Sequence, residues 1–159
     1  MRRLWTWAGI VFLLDQVTKV LVVQILNLAS RGSIDVLPPF VNFRMAWNRG
    51  VNFGLLSGDS DATKWILIAV ALAISGWVIL WLRRERQGKW AMISGGLLVG
   101  GAIGNVVDRL IYGAVADFLN MSCCGVENPY AFNVADIAIF AGAIGLIAFT
   151  GGGRKGKTP

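Results

Sequence analysis

The stretch GAIGNVVDRLIYGAVADFLNMSCCGVENPYAFNVAD, Gly101 to Asp136, joins two apolar segments and gathers Asn105, Asp108, Arg109, Asp117, Asn133 and Asp136 between them. Ionisable side chains within or beside a bilayer are costly, and they mark functional sites or pair with one another. The stretch therefore reads as a polar site at the mouths of two hydrophobic helices.

The surrounding composition supports a membrane setting. Hydrophobic residues make up 55% of the 159 and charged residues only 15%, against roughly a quarter charged in an ordinary soluble domain. Mean hydropathy is +0.61, which places the chain in the membrane class. The net charge of +6 sits in three short clusters: Arg2 and Arg3; Arg83, Arg84, Arg86 and Lys89; Arg154, Lys155 and Lys157. Each cluster borders an apolar run, the pattern of the positive-inside bias. It is not the continuous basic stripe of a nucleic-acid surface, so no nucleic-acid partner is expected. The two cysteines, Cys123 and Cys124, are adjacent, and neighbouring cysteines seldom bridge because a disulfide wants their Cα atoms well apart. With no His in the chain, two thiols make a poor zinc site; neither a metal nor a cofactor is expected. No secretory cleavage site follows the first apolar run, so Met1 to Leu28 is expected to stay as an anchor.

Four apolar segments are long enough to cross a ~30 Å core as helices: about Leu4–Leu28, Trp65–Leu82, Trp90–Val107 and Phe132–Phe149. The expectation is an all-α membrane protein with four transmembrane helices and a small β-rich extramembrane insert, about 29–63, between helices 1 and 2. One domain spans 1–153, and 154–159 is a basic tail. In the insert, VNFRMAW (Val41–Trp47) alternates with period 2 after LPPF (Leu37–Phe40), and Gly50, Gly54 and Gly58 supply turns. Phe53, Leu55 and Leu56 are placed to dip into the interface. Asp15 and Lys19, four residues apart in the first helix, share a face and can pair; whether they only pack the helices or also support a site is open. Gly96, Gly100 and Gly104 repeat every four residues, a spacing that lets membrane helices approach closely. An even number of spans puts both termini on one side, and the basic clusters make that side the cytoplasm. Residues 29–63 and 108–132 then face the opposite compartment. Asp15, about 18 Å along its helix from Arg3 at 1.5 Å per residue, lies in the same outer half.

Without His, acid–base chemistry falls to carboxylates. Two aspartates that share a site cannot both ionise cheaply, so they hold one proton between them. The ionised member can activate a water while the protonated one hydrogen-bonds a carbonyl. Asp108 and Arg109 can instead be a local ion pair, and Asp136 a first-turn carboxylate stabilised by the helix dipole. Spacing alone does not select the working pair, and it leaves hydrolysis, ion conduction and lipid binding open.

Five motifs in order settle on one family: DQVTK (Asp15–Lys19), NRGVNFG (Asn48–Gly54), GGAIGNVVDR (Gly100–Arg109), VADF (Val115–Phe118) and FNVAD (Phe132–Asp136). The chain resembles the lipoprotein signal peptidase (signal peptidase II) family, small four-helix aspartic peptidases of the bacterial inner membrane. The resemblance implies that Asp117 and Asp136 are the catalytic dyad. It also implies that Asp15, Asn48, Asn105, Arg109 and Asn133 support or bind the substrate; Lys19, Gly50 and Asp108 lie in the same motifs and join that set. Implied partners are diacylglyceryl-modified prolipoproteins, cleaved before the lipid-bearing Cys, together with membrane lipids and globomycin-type inhibitors. The implied enzyme is a multi-pass monomer with both termini cytoplasmic and its active site towards the periplasm. Where the family usually has NxGxAF, this chain has Asn52 at the small-residue position and Arg49 beside the motif's first Asn, which bears on loop packing and inhibitor fit.

Overall fold

A computed structural model describes residues 1–38, 40–50, 61–85, 87–123 and 128–150. The expected turns at Gly54 and Gly58, the interfacial Phe53, Leu55 and Leu56, the Asn52 departure, Arg86, Cys124 and the tail all lie outside them. Helix α1 (Arg2–Lys19) continues as a π-helical segment, Val20–Ile25, and a four-residue helix α2 (Leu28–Arg31) follows. Strands β1 (Ser33–Leu37) and β2 (Val41–Asn48) precede α3 (Asp61–Arg84) and α4 (Lys89–Tyr112); β3 (Val115–Asn120) and α5 (Val134–Thr150) complete the chain.

Three helical segments of 24 residues each, Arg2–Ile25, Asp61–Arg84 and Lys89–Tyr112, are long and apolar enough to cross a membrane; α5 is a shorter apolar helix. Of the four spans expected from sequence, three thus qualify by length among the described residues, and the fourth expected segment forms a helix of 17 residues. The ends of α3 follow the helix dipole, with Asp61 in the first turn and Arg83 and Arg84 in the last. Helix α4 runs five residues past the expected Val107, so Asp108 and Arg109 are helical; Gly113, at φ 74°, ends it in the left-handed region that glycine enters without strain.

Helix α4 is the hub of the bundle, and its glycines are the reason. A Cβ at Gly96 would lie 2.6 Å from the Leu4 carbonyl oxygen, and one at Gly100 would lie 2.9 Å from Ala8 Cα. The backbone of α1 thus rests on a strip with no side chains. Helix α5 seats on the other side of α4, where a Cβ on Gly142 would meet the Leu98 amide nitrogen at 2.6 Å. Gly100→Ala should therefore push rigid backbone apart and lower the thermal midpoint in detergent, by about 1–3 kcal/mol of overpacking. Gly76→Ala, where nothing lies within 4 Å of the added carbon, should leave the midpoint unchanged or raise it, since alanine favours the helix by ~0.5–1 kcal/mol. Equal responses at the two positions would remove the close-approach account.

The sheet has the order β1-β2-β3, antiparallel throughout. This corrects the expected insert: the third strand comes from the segment after α4, so the sheet joins both connections on one side of the bundle. Ala116 and Phe118 of β3 are buried with Val22 and Val23 at the end of the first helix and Leu28 of α2, and Phe118 meets Phe43 of β2 edge-on at 5.8 Å. Cys123 takes part in a disulfide, which corrects the expectation of unbridged thiols.

Candidate active site

The left-handed turn at Gly113 sends the chain from α4 into β3, where Asp117 pairs in register with Ala46 of β2. Asp136 arrives from a different direction, in the first turn of α5. Asn133 caps that helix. Its Oδ1 accepts the Asp136 backbone N–H at 2.9 Å, and Asp136 Oδ2 accepts the Asn133 backbone N–H at 3.2 Å. This is a reciprocal capping box written as Asn-x-x-Asp.

Two carboxamides tie the aspartates together. Asn133 Nδ2 donates to Asp117 Oδ1 at 2.6 Å and to Asn105 Oδ1 at 3.3 Å. Asn105 Nδ2 in turn donates to Asp136 Oδ1 at 2.9 Å. Asn48 Nδ2 reaches the remaining Asp117 oxygen, Oδ2, at 3.1 Å, while its own Oδ1 accepts the Gly50 N–H at 3.2 Å. Strand β3, helix α4, helix α5 and strand β2 thus converge on one polar group.

Burial pushes the Asp117 carboxyl up to about 6, and the charge of Asp136 pushes the same way; the amides of Asn48 and Asn133 and the Lys19 charge pull against them. Arg109 lies within electrostatic reach of Asp136, Asp117 and Asp108, and its Nη1 donates to the Asn105 carbonyl at 3.2 Å.

A cavity of about 750 Å³ opens at this group, lined among others by Trp47, Asn48, Gly50, Arg109, Asp117 and Tyr130. Asn120 Nδ2 donates to the carbonyls of Asn128 and Tyr130 at 2.7 and 2.8 Å, which holds the segment that brings Tyr130 to the cavity.

A second polar group lies among the helices and joins the first through Lys19 Nζ, which donates to Asn105 Oδ1 at 3.4 Å. Lys19 Nζ stands 2.7 Å from Asp15 Oδ2 and 2.7 Å from Asp108 Oδ2. The expected Asp15–Lys19 pairing is present, and Asp108 has Lys19 as its ion-pair partner in place of the expected Arg109. Gln16 Nε2 links the two carboxylates at 3.1 and 3.2 Å. None of Asp15, Lys19 and Asp108 is among the cavity-lining residues. The sequence reading passed over Gln16 and Asn120. The first stands inside DQVTK, one residue from Asp15, and is a signal that was there to use; Asn120 acts on backbone carbonyls that only the fold brings near.

The family model for Signal peptidase (SPase) II matches residues 7–150. The chain belongs to the signal peptidase II family. Proteins named lipoprotein signal peptidase share this span: one from Rhodopseudomonas palustris is 42% identical over 91% of this chain and 90% of its own. Another, from Methylobacterium sp. (strain 4-46), is 39% identical over 90% and 85%, and one from Aeromonas hydrophila 38% over 98% and 93%. A solved structure described as a bacterial membrane enzyme superposes with a TM-score of 0.77 at 28% identity, covering 94% of this chain and 92% of its own. This signal peptidase II is accordingly a multi-pass membrane peptidase, and the work of its family is to remove signal peptides from prolipoproteins.

Proposed function

We propose that Asp117 and Asp136 form a one-proton catalytic dyad that hydrolyses the peptide bond before the lipid-bearing Cys of diacylglyceryl-modified prolipoproteins. The observation that carries this reading is the Asn133–Asn105 bridge, which binds both carboxylates into one hydrogen-bonded group beside a cavity. Asp117, held at about 6, keeps the shared proton and offers it to the scissile carbonyl. Asp136 takes a proton from the attacking water and gives it to the leaving amine as the tetrahedral gem-diol collapses, while Asp117 takes back a hydroxyl proton from the gem-diol, which restores the one-proton dyad. Asn48, Gly50 and Arg109 line the cavity and hold the extended substrate backbone and its lipid-linked residue; globomycin-type inhibitors occupy the same space. Asp15, Lys19, Asn105, Asp108 and Asn133 support the dyad from behind.

The same reading makes α5 a fourth span, since 17 residues reach about 26 Å at 1.5 Å per residue. It puts both termini in the cytoplasm of a bacterial inner membrane and the cavity towards the periplasm. Residues 1–153 work as one domain, a monomer, with 154–159 as a basic tail.

The test is the pH profile of cleavage of a lipid-modified precursor in detergent, followed by gel shift. A dyad that must keep its proton loses it as pH rises through the raised Asp117 value. On this reading kcat/KM falls about tenfold per pH unit above about 6. The corresponding limb of kcat lies at higher pH, because a bound signal helix and acyl chains displace water and favour the neutral acid. A kcat/KM that rises steadily from pH 5 to 8 would contradict the assignment.

A further inference from the structure

Each paired aspartate is preceded by an alanine whose backbone N–H is held by a carboxylate from another element. The Ala135 N–H donates to Asp15 Oδ1 at 3.0 Å, which ties the start of α5 to α1. The Ala116 N–H donates to Asp108 Oδ2 at 3.1 Å, which ties β3 to α4. Both carboxylates meet a single cation, Lys19 Nζ, at 2.7 Å each. Asp15, Lys19 and Asp108 are 0%, 5% and 0% exposed, so solvent cannot stand in for any of them. Gly104 makes the room: a Cβ there would lie 2.6 Å from Asp15 Oδ2.

Packing alone does not account for this group. Apolar side chains of similar volume hold a buried interface as well as an ion cluster, or better. What the ionic group supplies is direction, because a carboxylate on a short N–H bond fixes where the next residue's side chain begins. Here two such bonds end one residue before Asp117 and one residue before Asp136, and the Lys19 ammonium group, the single cation on both carboxylates, sets the distance between them alongside the neutral amide of Gln16. We propose that Lys19 is a positioning residue that sets the separation of Asp117 and Asp136 by clamping Asp15 and Asp108 together. The clamp rests on the dyad reading for its effect on turnover, but not for its effect on the two alanine amides.

The experiment compares Lys19→Met and Lys19→Arg with the unsubstituted peptidase in detergent, using kinetics on a lipid-modified precursor and amide NMR with Ala selectively labelled. Without the ammonium group, the two carboxylates repel each other across Gln16, and both N–H bonds change. In Lys19→Met, kcat is expected to fall about 100-fold, the scale of a 1 Å misplacement, with KM within about threefold, since Lys19 does not line the cavity. Lys19→Arg should recover at least tenfold of the loss. The Ala116 and Ala135 amide signals should shift in Lys19→Met while that of Ala71, on α3, stays in place. If Lys19→Met does not fold, Asp108→Asn cuts one arm, and there the Ala116 signal should shift more than that of Ala135. Unchanged Ala116 and Ala135 signals in a folded Lys19→Met protein, or a rise in KM with kcat intact, would overturn the clamp. Shifted amides with full turnover would also overturn it, whereas an active Asp136→Asn protein would remove the dyad and leave the amide result standing.

Discussion

Asp136→Asn, in protein that still purifies as a folded species, is expected to cut turnover of a lipid-modified precursor by on the order of 10³–10⁴-fold, as is Asp117→Asn. The side chains are nearly isosteric, so the loss belongs to the chemistry: a carboxamide neither accepts a proton from water nor donates one at the pH of the reaction. The double variant should be little worse than either single one, since two members of one proton-sharing unit fail together. Asp136→Asn also carries a folding cost that can be separated out. Asp136 accepts from the Asn105 side chain on one oxygen and from the Asn133 N–H on the other, and in asparagine one of those positions becomes an NH₂ donor that cannot accept. A thermal-unfolding scan beside the gel-shift assay distinguishes a lowered midpoint from lost chemistry. Retention of more than a few per cent of turnover in folded Asp136→Asn protein would end the aspartic mechanism.

Asn133 should give the second-largest effect, because it does two jobs with two ends of one side chain. Its Oδ1 caps α5 and its Nδ2 holds Asp117. Asn133→Ala loses both, at about 1 kcal/mol for the cap and about 1–3 kcal/mol for a buried carboxylate oxygen left without a donor. Asn133→Ser keeps a good capping oxygen and loses the reach of Nδ2 to Asp117 and Asn105. The midpoint of Asn133→Ser should therefore lie above that of Asn133→Ala, while both variants lose about 100-fold or more in kcat. If serine restores turnover along with stability, the side-chain amide is only a cap.

The sequence carries the helices and the polar cluster for different reasons. Long apolar runs ending in Arg83–Arg84 or starting at Lys89 announce spans, because lipid leaves a backbone few alternatives. The glycines of α4 announce the side that α1 approaches. Strand β3 was not legible in this way. Val115–Asn120 is buried at five of six positions, so the period-2 alternation that marked Val41–Trp47 is missing, and the strand exists only because β2 pairs with it. The pairing of Asp108 was hidden for a similar reason. Its neighbour in sequence is Arg109, but its ionic partner is Lys19, 89 positions away, and the choice is made by how α1 lies on α4. Asn133 and Asp136, three apart, carried a cap signature that sequence alone suffices to read.

The shortness of α5 has a physical sequel in the lipid. From Thr150 back to Asp136 is 14 steps, about 21 Å at 1.5 Å each, against a hydrocarbon slab of about 30 Å. On the proposed reading, in which α5 crosses with its Thr150 end at the inner boundary, the carboxyl group sits several ångströms beneath the outer one. Hydrophobic mismatch then acts on the chemistry: longer acyl chains thicken the slab and sink the group deeper, and shorter ones bring it nearer the aqueous edge. On that reading, bilayer thickness is a rheostat for hydration of the scissile bond.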